Sequence, residues 1–116
     1  MGSHVIFFGW DRPIPGREAA SAGLFQEFTQ YLAGLQGDGT IESFQPVFLN
    51  SHGGDLNGFI LIQGEGAKLD AMVSSEKWIR FNIQAGLYLD GAGTIRGTTG
   101  DLLMEQMGIW TSLIPD

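Results

Sequence analysis

Few residues in this chain have the chemistry to act on a substrate, and the densest group lies in "NSHGGDLNGF", residues 50–59. There His52 and Asp55 stand three positions apart across a Gly-Gly pair. A carboxylate at that distance can orient an imidazole as a general base. The same residues also make a good turn. Gly53 and Gly54 can supply the positive φ that a tight connection needs, and Asn50, Ser51 and Asp55 can bond its amides. The turn reading is the stronger of the two.

The other chemistries are thinly supplied. There is no cysteine, so no disulfide, thiolate nucleophile or Cys-bound metal is available. His4 is the second histidine, but it falls in an opening "MGSH" that reads in part as a vector-derived leader. A catalytic zinc wants three protein ligands, and no HxH or HxxxH spacing exists, so no metal site is expected. A haem would need His52 as axial ligand, and a hairpin turn holds such a ligand poorly. No cofactor is expected. "GEGAK" (64–68) and "DGAGTIRGTTG" (90–100) are glycine-rich but match neither phosphate-binding pattern. No Ser/His/Asp signature is present, and Asp38 and Glu42 have no fixed mutual geometry.

Charge narrows the partners. Thirteen acids against six dispersed bases give a net charge of −7. Nucleic acid and anionic membrane surfaces both call for a basic footprint, and neither is expected here. No apolar run approaches the 18 residues of a membrane span. The N-terminal "MGSHVIFFGWDRP" has no basic segment before its apolar run and reads as a strand, not a signal peptide. A cytoplasmic protein is the expectation.

These residues need elements to position them. With 116 residues the chain fits one domain. "HVIFFGW" (4–10) reads as a buried strand that "DRPIPG" breaks. Residues 17–36 place Leu24, Phe28, Tyr31, Leu32 and Leu35 at helical spacing, with Gly37 and Gly39 as the stop. Residues 40–50 alternate as a strand. Pro46 cannot donate to a ladder, so this strand belongs at a sheet edge. Residues 55–64 form the next strand and make a hairpin with it. Residues 66–89 read as helix in two pieces, with "SSEKW" supplying a new N-cap. In the second piece Ile79, Ile83 and Leu87 form a stripe, with Trp78, Phe81 and Ala85 beside it. Residues 93–98 are a short strand. Residues 101–113 make a closing helix with Leu103, Met107, Trp110 and Ile114 on one face.

The order is β-α-β-β-α-β plus a C-terminal helix, the ferredoxin-like α+β arrangement. Helices cover one sheet face. Phe8, Trp10, Phe44 and Phe48 are candidates for the other, which would then pack against a second copy. In element order, in "HGGDLNGF", in the "SSEKW" helix start and in its glycine-rich last strand, the chain resembles an uncharacterised small bacterial branch of the dimeric α/β-barrel superfamily. The resemblance implies a homodimer. The superfamily includes cofactor-free monooxygenases, haem-degrading enzymes, dye-decolorising peroxidases and isomerases.

Three functions follow as expectations. The first is binding of an apolar or aromatic small molecule between sheet and helices, with Phe8, Trp10, Phe44, Phe48 and Trp78 as walls and Tyr31, Trp78 and Arg80 as polar tips. The second is a cofactor-independent oxygenase or isomerase with His52 as base, assisted by Asp55. The third is a non-catalytic structural or interaction dimer.

Overall fold

The structure, a computed structural model, describes residues 2–115. It is a mixed α+β fold with a four-stranded antiparallel sheet and four helices: β1 (His4–Trp10), α1 (Glu18–Gly37), β2 (Ser43–Phe48), β3 (Gly58–Gly64), α2 (Gly66–Ser74), α3 (Glu76–Tyr88), β4 (Gly93–Thr98) and α4 (Gly100–Ser112). The strand order is β2-β3-β1-β4, so β1 and β3 are central and β2 and β4 are edges. Pro46 therefore sits on an edge strand, where its missing N–H costs the ladder least.

Strand register decides which residues face the helices. Ile6, Phe8 and Trp10 alternate onto one face beside Ile60 and Ile62, and all five are buried. Phe44 and Phe48 share that face through their pairing with Ile62 and Gly58. The four aromatic residues expected on the open face thus lie on the helix side. A pleated strand alternates strictly, so one parity must face the core, and the bulkier one does. The open face instead carries Val5 and Phe7 of β1, Gln45 and Val47 of β2, Phe59 and Leu61 of β3, and Ile95 of β4.

The helices follow the same logic. On α1, Leu24, Phe28 and Leu32 are buried. The break between α2 and α3 falls at Ser75, whose extended backbone ends one helix and starts the next. Its Oγ accepts from the Trp78 N–H at 3.3 Å, the expected N-cap bond. On α3 the buried stripe is Trp78, Phe81 and Ala85, while Ile79, Ile83 and Leu87 are exposed. This reverses the stripe read from sequence: Trp78 and Phe81 pack on Phe28 of α1, with ring centroids 5.2 and 5.1 Å apart, so the aromatic stripe is the one turned to the core.

The C-terminal helix does not close the domain. No residue of α4 is buried, and Met104, Ile109 and Trp110 are each more than 60 % exposed. The Cα radius of gyration is 16.0 Å, against about 13 Å for a compact chain of this length. Helix α4 projects from the edge strand β4, where the Thr98 hydroxyl donates to Gln106 Oε1 at 2.7 Å, and apart from half-buried Leu102 its apolar side chains are exposed.

Candidate functional site

A cavity of about 840 Å³ opens between α1, the helix side of the sheet and α3. That is within the size range of small-molecule sites. Small residues make the room. Ala19, Ala22 and Gly23 on α1 and Ala85 on α3 line it, where larger side chains would fill it. At Gly23 an added Cβ would meet nothing within 4 Å.

The walls are aromatic. Trp10, Phe25 and Phe48 form a triangle: Trp10 to Phe25 is 6.1 Å between ring centroids, Trp10 to Phe48 is 6.0 Å, and Phe25 to Phe48 is 5.1 Å. The two contacts of Trp10 are edge-on, so the rings enclose space in place of a flat stack. Phe8, Phe28 and Phe81 continue the wall inward, with Phe28 ring centroids 5.2 Å from Phe8 and 5.1 Å from Phe81. Phe48 is 68 % exposed and stands at the mouth.

The polar part is small. Asp11, Glu18, Ser21, Gln26 and Asn57 contribute to the lining; its charges are both negative, and no Lys, Arg or His takes part. Backbone bonds fix Asp11 and Asn57 around the end of β1. Asp11 N–H donates to the Asp90 carbonyl at 2.8 Å, Pro13 bridges to Leu89, and Asn57 N–H donates to the Trp10 carbonyl at 2.9 Å. Gly91 has φ of +65°, and a Cβ there would overlap the Asp11 carboxylate, so this turn must be glycine for the carboxylate to keep its place. Among the described residues the two ion pairs are Arg80–Glu76 and Arg96–Asp70, and neither involves Asp11 or Glu18.

The residues anticipated from sequence divide cleanly. Phe8, Trp10 and Phe48 line the cavity. Tyr31, Phe44, Trp78 and Arg80 do not. Trp78 is 3 % exposed and packs edge-on to Phe8 at 6.1 Å inside the core. Tyr31 lies on the outer side of α1 and α3, over Phe81 at 5.4 Å and under the Lys77 ammonium. Arg80 faces solvent and donates to Glu76 Oε1 at 2.9 and 3.1 Å. Asp11, Glu18 and Asn57 were missed, because they come from three separate stretches of chain. The one local signal was "EAASAG" (18–23), a run of small residues on a helix that should otherwise bury large ones.

His52 belongs to its loop. Residues 49–57 link β2 to β3, longer than the "SHGG" turn: β2 starts later and ends earlier than its sequence pattern suggests, and β3 starts later. His52 is exposed. Its Nδ1 accepts from the Gly54 N–H at 3.2 Å, which leaves Nε2 protonated to donate to the Leu56 carbonyl at 2.7 Å. Both ring nitrogens are thereby used, and His52 and Asp55 are outside the cavity lining. Gly53, with φ of +81°, makes the turn, and a Cβ on Gly54 would stand 2.7 Å from the His52 ring. The bonds in this loop come from the histidine, where sequence pointed to Asn50 and Asp55.

Among the described residues no group of three or more His, Asp or Glu side chains is placed to hold a metal ion. No helix among them is long and apolar enough to cross a membrane. No family model matches the chain, and no curated protein is significantly similar to it.

Proposed function

We propose that this protein binds an apolar or aromatic small molecule in the cavity between α1, α3 and the sheet, and that it does so as a ferredoxin-like homodimer of the dimeric α/β-barrel type. One observation carries the binding reading: an aromatic-walled space of about 840 Å³ exists where small residues of α1 replace large ones. A cavity of that size lined by Trp10, Phe25 and Phe48 leaves apolar surface in water, and an apolar ligand would remove it. The ferredoxin-like reading is supported by the edge position of β2 and by two central strands flanked by the strands that follow each helical segment. The dimer reading is supported by an open sheet face on which none of the register positions is charged.

The reading does not extend to catalysis by His52, whose ring nitrogens are both bonded within residues 52–56. It is tested with Ala22→Phe, which fills the cavity from an exposed position on α1. Ligand-observed NMR with a library of small aromatic fragments should give hits on the wild-type protein and lose them on Ala22→Phe, with circular dichroism unchanged. Hits that persist at full strength in the variant would place binding elsewhere and sink the proposal.

A further inference from the structure

We infer that the ligand of this cavity is an organic cation: an aryl or alkyl body that fills the aromatic space, with an ammonium group at the mouth between Asp11 and Glu18. This rests on the small-molecule reading and names its ligand class. Three observations converge. The first is the ring triangle of Trp10, Phe25 and Phe48, with centroids 5.1 to 6.1 Å apart. Aromatic faces carry negative quadrupole potential, and an ammonium within about 6 Å of such faces is attracted to them. The second is the sign of the charged lining. Its two titratable groups, Asp11 and Glu18, are carboxylates, and neither is in an ion pair among the described residues. The third is placement. Phe48 and Glu18 are exposed and Asp11 is half-buried, which puts all three toward the open side of the lining, while Phe8, Ile60 and Ala85 lie at the buried end.

The alternatives fare worse on magnitude. An anionic ligand would meet two negative charges and no basic side chain in the lining. The N-terminus of α1 offers an anion only about half a positive charge, and Glu18 already stands in its first turn. A neutral ligand would fill the apolar space but leave both carboxylates unused. The net charge of −7 adds a long-range field of the same sign, which draws cations toward the site.

The experiment compares three probes of one shape: 3-phenylpropylamine, 3-phenylpropanol and 3-phenylpropionate. Affinities are measured by ligand-observed NMR titration at low and at high salt. The amine should bind about tenfold more tightly than the alcohol, and the carboxylate weakest. High salt should weaken the amine and leave the alcohol unchanged. The variant Asp11→Asn/Glu18→Gln should bring the amine down to the level of the alcohol without moving the alcohol, and Phe48→Ala should weaken both. Equal binding of amine and alcohol, or preference for the carboxylate, would overturn the cation assignment and leave the cavity reading standing. Failure of all three probes to bind at millimolar concentration would overturn both.

Discussion

At the scale of single residues, the clearest bonds hold turns. Ser75 joins α2 to α3. Its Oγ donates to the Met72 carbonyl at 2.6 Å and accepts from the Trp78 N–H at 3.3 Å. Ser75→Ala removes both bonds at a cap and should cost about 1 kcal/mol, read as a lower urea midpoint at unchanged slope. Asp38 does comparable work after α1. The Thr40 hydroxyl and the Thr40 N–H both donate to its Oδ1, at 2.5 and 2.9 Å, and with Lys68 nearby they hold its carboxyl below the usual carboxylate range. The sign follows from the direction. A carboxyl whose folded pKa is depressed adds stability above its unfolded pKa, near pH 4. It loses that stability as pH falls through the folded value. Asp38→Asn should therefore flatten the acid limb of the stability curve below about pH 4 and leave its slope at neutral pH unchanged. A parallel acid limb in the variant would show that this carboxyl is not part of the acid transition.

At the scale of elements, periodicity was readable and direction was not. The helix spacing over α1, the break at Ser75 and the edge placement forced by Pro46 are all local, and each holds in the fold. What local pattern lacks is the position of the core. On α3 two apolar stripes lie side by side, and on β1 both parities are apolar, so tertiary packing alone decides which is buried. The same limit applies to the site. Trp10 and Phe48 announce themselves as aromatics beside chain breaks, whereas Asp11, Glu18 and Asn57 come from three separate stretches and share a cavity lining only in the folded chain, where the loop after β1 docks against Leu89 and Asp90. The choice of stripe is testable. Phe81, 7 % exposed, touches Phe28 and Tyr31, while Ile83 is 59 % exposed. Phe81→Ala should cost about 3–5 kcal/mol, and Ile83→Ala no more than about 0.5 kcal/mol, both by urea unfolding at one protein concentration. A larger loss at Ile83 would mean that the other stripe of α3 is the buried one.

At the scale of the whole molecule, two apolar surfaces remain without cover: the open sheet face and α4. On the sheet, Phe7 and Phe59 stack at 4.9 Å, and Leu61 and Ile95 are 37 % and 61 % exposed. Four strands about 4.8 Å apart, six or seven residues long at about 3.3 Å per residue, make a flat patch of about 400 Å². A stable interface buries about 800 Å² on each partner, roughly twice that. The sheet alone is therefore too small, and the proposed dimer needs a second contribution. Helix α4 is the part of the chain able to give it, since Leu103, Met107, Trp110 and Ile114 form an exposed stripe on a segment that has no buried residue in its own chain. The absence of charge on the sheet face lets two copies of net charge −7 meet there with their acids held apart. Light scattering should accordingly find a dimer at micromolar concentration. Leu61→Lys on the sheet and Trp110→Glu on α4 should each raise the monomer fraction, because each places a charge in apolar surface that dimerisation would bury. Both side chains are exposed in the single chain, so neither change should lower the secondary-structure content seen by circular dichroism. If Leu61→Lys dissociates the dimer and Trp110→Glu does not, the sheet suffices and the area argument for α4 fails. A wild-type protein that stays monomeric at about 100 times that concentration would remove the dimer altogether, and would leave the cavity between α1 and α3 to be judged on its own ligand data.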